Sequence, residues 1–493
     1  MGSEIRNSGG QDCHHRGSRQ RIGLWLGPAL SIGMMIMSPP GDLGIEAWRV
    51  AALGVLMATW WISEAIPIPV TGLMPIVALP LLGVASIGQA TAAYANPLIY
   101  LFLGGFMIAL AMQRWQLHRR IALAIIAMVG TSPRAIILGF MVAAAFLSLW
   151  VSNTATALMM LPIALSVVAL GGQASESPEL KHFGIALLLG IAYACNIGGV
   201  GTLIGTPPNA LMAAYMLESH GVEIGFGQWM LLGLPLVIVG IPLAWLILTR
   251  ICFPVHLKQL PGGHDVIARE RRQHGRITRP EVRVAMVFAT TAMLWIFRPL
   301  LQNLLPGLSD AGIAIAAAVA LFMVPSGDRQ GVALLDWESV RDLPWGILIL
   351  FGGGLSLAAA VTQTGLDQAI GELVLGFEHW PTLLLLALTV TTVILLTEMT
   401  SNTATAAAFL PVLAAAAIGL GENPLTFVIP AAIAASCAFM LPVATPPNAI
   451  VYGSGLLTVP MMVRAGIWLN VLFLGLILVA AYGLMGVVFG IGS

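Results

Sequence analysis

The sequence predicts an all-α polytopic membrane protein made of two inverted repeats, with about 11 transmembrane helices and two re-entrant helical hairpins. Three observations carry that expectation. Of 493 residues, 58% are hydrophobic and only 9% charged, against roughly a quarter charged in a soluble domain, and the mean hydropathy is +0.92. Apolar runs of roughly 20 residues recur along most of the chain, the length a helix needs to cross a bilayer. They are continuous rather than alternating, which excludes a β-barrel. Finally, polar stretches set in apolar sequence occur twice. Ser152-Asn153-Thr154-Ala155-Thr156-Ala157, followed by Leu161-Pro162, returns as Ser401-Asn402-Thr403-Ala404-Thr405-Ala406, followed by Leu410-Pro411, at an offset of 249 (401 − 152). Thr206-Pro207-Pro208-Asn209-Ala210 returns as Thr445-Pro446-Pro447-Asn448-Ala449 at an offset of 239 (445 − 206).

Taken in order, residues 1–21 read as a polar cytoplasmic tail with Arg6, Arg16 and Arg19. No small-residue cleavage pattern follows the first apolar run, so a signal peptide is not indicated. The first half, 22–253, holds spans at 22–38, 47–62, 66–84 and 96–113, then a basic amphipathic piece, Arg114-Trp115-Gln116-Leu117-His118-Arg119-Arg120. Residues 132–170 are apolar but interrupted at Ser152-Asn153-Thr154, which suits a re-entrant hairpin better than one long helix. Residues 182–217 are broken by Gly198-Gly199, Gly201, Gly205 and Pro207-Pro208, and a span follows at 228–253. The longest polar stretch, 254–283, carries Lys258, Arg269, Arg271, Arg272, Arg276, Arg279 and Arg283 and reads as a basic cytoplasmic linker. The second half, 284–493, repeats the order: spans at 284–301, 310–325 and 343–362, an amphipathic piece at 365–377, a second hairpin at 381–419, a broken span at 423–455 and a last span at 464–490.

Charge argues that the repeat is inverted. At the 249 offset, Arg114, His118, Arg119 and Arg120 face Gln363, Asp367, Gln368 and Ala369. Cytoplasmic segments are rich in Lys and Arg, so the same element is expected on opposite sides in the two halves. A basic tail and linker then place the N-terminus in the cytoplasm and the C-terminus outside. A parallel duplication would need a basic second copy.

The four repeated stretches read as the walls of one binding site. A backbone break in hydrocarbon frees N–H and C=O groups at several kcal/mol each, so it persists only where protein or water satisfies them. Paired breaks at matching positions point to a transporter site between repeats. Ser, Thr and Asn side chains supply neutral donors and acceptors; their oxygens, with backbone carbonyls, suit a hard cation such as Na⁺. From Asp342 to Val463 there is no Lys or Arg, and from Ala135 to Thr249 only Lys181. A dianion held there needs its charge offset by something other than a nearby protein cation in sequence, and co-bound Na⁺ does this.

These motifs, with Trp61-Ile62-Ser63-Glu64-Ala65-Ile66-Pro67, make the chain similar to the divalent-anion:sodium symporter family of dicarboxylate, citrate and sulfate carriers. The resemblance covers nearly the whole chain beyond the tail. It implies a homodimer in a bacterial-type cytoplasmic membrane, an elevator-type movement, and hairpin tips that carry the Na⁺ sites. It implies that Ser152, Asn153, Thr154, Ser401, Asn402, Thr403, Thr206, Pro207, Thr445 and Pro446 contact substrate. Ser148, Ser152, Asn153, Gly198 and Gly199 would line one Na⁺ site; Thr397, Thr400, Asn402 and Ala444 would line the other. The expected function is Na⁺-coupled symport of a C4-dicarboxylate such as succinate, malate or fumarate. Citrate or sulfate transport, H⁺ coupling, exchange and an anion channel are the alternatives.

Plainer readings stand beside these. Ser, Thr and Asn often serve helix packing in membranes, and paired prolines can be simple kinks. Glu64 and Glu398 are intramembrane carboxylate candidates. Glu64 reads as orienting a domain interface; Glu398 either binds a cation or anchors its hairpin. His118 reads as an interfacial residue, the glycines at 104–105 and 352–354 as close-packing positions, and Cys13, Cys195, Cys252 and Cys437 as neither metal ligands nor a disulfide framework. No nucleophile–base pair or His cluster appears in the spans, so an enzyme is not expected, and no phosphate-binding glycine loop is present.

Overall fold

The computed structural model describes residues 17–130, 132–172, 178–257, 263–328 and 331–490; among these there is no strand, only an isolated bridge between Pro325 and Ala333. Two long helices, α1 (Ser18–Ile36) and α2 (Ile45–Ser63), pack together at the start. The stretch read as one span at 66–84 is instead two short helices, α3 (Ile68–Thr71) and α4 (Met74–Leu81). Pro67, Pro69 and Pro75 withhold amides from any continuous ladder there. After α5 (Ile87–Ala92) comes α6 (Pro97–Arg114), capped by the Asn96 side chain with Pro97 in the first helical position, where no amide is missed. Next are α7 (Leu117–Val129), α8 (Pro133–Ser148), α9 (Asn153–Gly172), α10 (Pro178–Gly199), α11 (Pro207–His220) and α12 (Phe226–Leu246).

The stretch predicted as a linker contains a helix, α13 (Gly263–His274), and α14 (Arg279–Leu301) starts before that stretch ends. Helix α13 packs on α7 and α9. Arg119 of α7 pairs with Glu270 at 2.5 Å and Arg120 with Glu281 at 2.8 Å. Glu281 also closes a capping box with Thr278. Then follow α15 (Asp310–Met323), α16 (Trp337–Val340), α17 (Trp345–Gln363), α18 (Leu366–Val374), α19 (Thr382–Thr397), α20 (Asn402–Gly419), α21 (Leu425–Ala434), α22 (Pro446–Tyr452), α23 (Val459–Gly483) and α24 (Met485–Phe489). The turn at 484 breaks the run read as one last span.

Among the described residues, 8 helical stretches are long and apolar enough to cross a membrane, or 9 if Leu366–Phe377 and Thr382–Thr397, bent by 120°, count as one. This is fewer than the spans counted from sequence: α1, α4, α15 and α21 are not among the eight, the last three having only 8, 14 and 10 residues, while α20 of the second hairpin is. The outer surface is apolar: Trp25, Leu81, Met128 and Val479 are 76%, 81%, 84% and 71% exposed, as suits a protein whose solvent is lipid.

The two halves pack reciprocally. Helix α6 lies on α15 while α17 lies on α3 and α4; α9 lies on α22 while α20 lies on α11. Glycine permits two of these crossings. A Cβ at Gly104 would meet the Ala314 backbone at 2.6 Å, and one at Gly353 would fall within the backbone of Gly72. Glu64 is exposed and ends α2 in the left-handed region (φ 51°). His118 is buried, its Nδ1 3.2 Å from the Met112 carbonyl. Cys195, Cys252 and Cys437 are buried free thiols, and Cys13 lies outside the described residues.

Candidate functional site

Both double prolines are helix starts. Pro207 and Pro446 occupy the first position of α11 and α22, where a missing amide costs nothing. Thr206 and Thr445 precede them in extended conformation, at φ −145° and −143°. The segments upstream, 200–206 and 435–445, are therefore non-helical, and their freed carbonyls need donors. The asparagine of each motif supplies them. Asn209 Nδ2 donates to the carbonyls of Gly199 (3.1 Å), Val200 (3.3 Å) and Thr202 (2.8 Å); Asn448 Nδ2 donates to those of Ala438 (3.2 Å) and Leu441 (3.0 Å). Residues 199 and 202 correspond to 438 and 441 at the 239 offset, so one device staples both breaks.

Each motif turn docks on the break of its own half. In the first, α8 and α9 are joined by residues 149–152 and pack together. Thr202 Oγ1 donates to the Leu149 carbonyl at 2.5 Å. Gly198 lies against the Ala145 backbone, and Gly199 against the Asn153 side chain. Ser152 Oγ accepts from Ala155 N, starting α9. In the second, α19 and α20 are joined by 398–401. Thr397 Oγ1 lies 2.7 Å from both Asn402 Oδ1 and the Ala435 carbonyl, and Thr400 Oγ1 lies 2.5 Å from Thr405 Oγ1.

Glu398 fixes this second turn. It is 1% exposed. Its Oε1 accepts from Phe439 N (2.7 Å), Met440 N (3.0 Å) and Asn470 Nδ2 (2.9 Å); its Oε2 accepts from Met440 N (3.0 Å) and Leu441 N (3.1 Å). Carboxylate lone pairs so fully engaged favour the anchoring role over the cation-binding one.

The two breaks then touch each other. Asn196 Nδ2 donates to the Ala438 carbonyl (3.1 Å) and to Thr445 Oγ1 (3.2 Å), and Ser436 Oγ lies 3.4 Å from Thr206 Oγ1. Contacts thus run from turn to break to break to turn. Ser148, Asn153, Gly198 and Gly199 come together at one end of this chain of contacts, with Ser152 in the turn, and Thr397 and Asn402 at the other, with Thr400 in its turn. Thr206, against Ser436, and Thr445, against Asn196, lie at the crossing, with Ala444 buried just before Thr445. Thr403 is buried, Thr154, Ser401 and Pro207 are half-buried, and Pro446 is exposed.

Several polar atoms here are buried without a hydrogen-bond partner: Ser148 Oγ, beside only the weak thiol of Cys195, and Asn153 Oδ1, Asn209 Oδ1 and Asn448 Oδ1. Such groups are costly unless water or a ligand meets them. Sequence reasoning missed Asn196 and Ser436, although an amide inside the wholly buried run 183–199 is itself a signal. It also missed Arg19, whose guanidinium donates to the Met399 carbonyl at 2.9 Å and to that of Ile62. A cation therefore reaches the second turn in space, though none is near it in sequence.

Comparison with known proteins settles the family. Residues 21–489 match the family described as the sodium:sulfate symporter transmembrane region. The chain belongs to this family. Named relatives include the sodium-dependent dicarboxylate transporter SdcS of Staphylococcus saprophyticus and that of Staphylococcus aureus strain USA300. Each is 42% identical, with 96% of this chain and 92% of the relative covered. The family is one of transporters, so this member is a carrier protein of the membrane and not an enzyme. Among solved structures, the YdaH transporter of Alcanivorax borkumensis (TM-score 0.54, 14% identity, 89% of this chain and 98% of that one) and MtrF of Neisseria gonorrhoeae (0.54, 11%, 93% and 94%) share the fold.

Proposed function

We propose that this symporter-family member couples Na⁺ to the import of C4-dicarboxylates such as succinate, malate or fumarate across a bacterial cytoplasmic membrane. The observation that carries the reading is the pair of unpartnered buried oxygens, Ser148 Oγ and Asn153 Oδ1, beside glycines that let backbone carbonyls approach. Neutral oxygens with unspent lone pairs suit an alkali cation. Ser148, Ser152, Asn153, Gly198 and Gly199 hold one Na⁺; Thr397, Thr400, Asn402 and Ala444 hold the other, where Thr397 and Asn402 now satisfy one another.

The dicarboxylate then lies between the turns. Helices α9, α11 and α20 start at this cluster, and helix starts carry partial positive charge and free amides. Ser152, Asn153, Thr154, Ser401, Asn402, Thr403, Thr206, Pro207, Thr445 and Pro446 form its walls. The substrate class follows the names of the SdcS relatives. The reciprocal packing of the halves supports inverted repeats, and the bases of the tail, α7 and linker support a cytoplasmic N-terminus with the C-terminus outside. The two hairpins move as a body against a homodimeric scaffold.

The test is radiolabelled succinate uptake into proteoliposomes under an inward Na⁺ gradient or an equal K⁺ gradient. Uptake driven only by Na⁺ and abolished by Asn402→Ala is expected. Equal uptake with K⁺ would exclude sodium coupling. Competition by sulfate stronger than by malate would move the substrate to the oxyanion of the family's description.

A further inference from the structure

We infer that the groove between α7 and α13 is a binding site for an anionic phospholipid, with its phosphate held by Arg271 and Arg272 and the first methylenes of an acyl chain entering the adjoining apolar cleft. A cavity of about 560 Å³ lies there, lined by Arg120, Arg271, Arg272, His274 and the apolar Leu123 and Ala268. The guanidinium of Arg120 is already spent: it pairs with Glu281 and donates to the carbonyls of Gly275 and Arg276. Arg271 and Arg272 are exposed, and among the described residues neither has an ion-pair partner. Two unpaired guanidinium groups on one cavity wall attract a phosphate, which they match by geometry as well as charge.

A second cleft of about 80 Å³ continues from the first, sharing Ala268 and Arg271, and is otherwise lined by Ile126, Ala127, Gly130, Ile136 and Ile267. Basic mouth and apolar extension together fit an amphiphile and not a free anion. Place argues the same. The site sits where the apolar α7 meets the basic polar stretch, the boundary at which headgroups lie, and basic pockets there take anionic headgroups. The matching element of the second half has the opposite character: a cavity of about 250 Å³ beside α18 is lined by Asp367, Gln368 and Glu372. One face of the protein thus attracts anionic lipid and the other repels it. Because α13 also packs on α9 and α7 on α8, the lipid braces the first hairpin.

Spin-labelled lipids in phosphatidylcholine vesicles holding the full chain test this. Labelled phosphatidylglycerol should be immobilised in preference to labelled phosphatidylcholine, and the preference should fall about fivefold for each arginine lost in Arg271→Gln/Arg272→Gln. Arg271→Lys/Arg272→Lys should keep most of it, with phosphatidylcholine immobilised equally by all three proteins as a check on folding. Equal immobilisation of both lipids by the natural protein, or an undiminished preference in the glutamine variant, would overturn the site. Loss of the preference on adding inorganic phosphate at constant ionic strength would overturn the lipid in favour of a free anion.

Discussion

Glu398 is the most demanding test of how the second turn is held. Its carboxylate accepts the amides of Phe439, Met440 and Leu441 and the side chain of Asn470. Glu398→Gln replaces one acceptor oxygen by a donor. Turned either way, the new amide faces at least one backbone N–H head-on: Leu441 if it replaces Oε2, Phe439 if it replaces Oε1. Losing one charge-assisted bond and stranding its donor costs about 2–4 kcal/mol. Glu398→Leu strands all the donors, and at roughly 1–3 kcal/mol each the upper limit is about 4–12 kcal/mol, comparable with the whole stability of many domains. Thermal unfolding in detergent, followed by tryptophan fluorescence, should rank the natural protein above Gln and Gln above Leu, with Gln several degrees lower. A Gln variant that unfolds like the natural protein but needs more Na⁺ for half-maximal uptake would refute the reasoning, because Glu398 would then be a cation ligand and not an anchor.

Three further outcomes follow from the geometry. Asn209→Asp and Asn448→Asp each replace a stapling donor by oxygen facing carbonyls, and each should lower stability by about 1–3 kcal/mol, seen as similar falls in the unfolding midpoint; a silent change at one position alone would break the matched-staple account. Gly198→Ala and Gly104→Ala both drive a Cβ into neighbouring backbone, but only Gly198→Ala, at the first turn, should raise the Na⁺ concentration for half-maximal uptake. Arg19→Gln frees the Met399 carbonyl, so a cysteine at the exposed position 399 should react faster with a polar maleimide than it does beside Arg19; an unchanged rate would mean the contact does not restrain the turn.

Much of the architecture was legible because it is local and repeated. An interrupted apolar run with Ser-Asn-Thr at its middle leaves a helix few options, and prolines that cannot continue a helix can start one. The same reading treated the Pro-Pro-Asn segments as site walls throughout, whereas Asn209 and Asn448 are turned into the breaks they stabilise. What stayed hidden depends on contacts between distant residues. Arg19 meets Met399 across 380 positions, and Asn196 meets Thr445 across 249; no periodicity reports either. The role of Glu398 was undecidable from its neighbours, because its donors come from a segment 41–43 residues away and from Asn470. The helix α13 was masked by its polar composition, which reads as linker until Ile267 is seen packed against α7.

The ion pairs of α7 carry a consequence in time. Arg119 and Arg120 find their acidic partners 151 and 161 residues later in the chain. At roughly 5–20 residues per second of synthesis, these arginines stay unpaired for roughly 10–30 s after they leave the ribosome. On the proposed topology that is when the first half is being inserted, and full positive charge is what holds α7 on the cytoplasmic side. Only when α13 and the start of α14 emerge are the charges neutralised and the halves joined. On that topology the same two side chains serve first as a signal to the insertion machinery and later as a clasp.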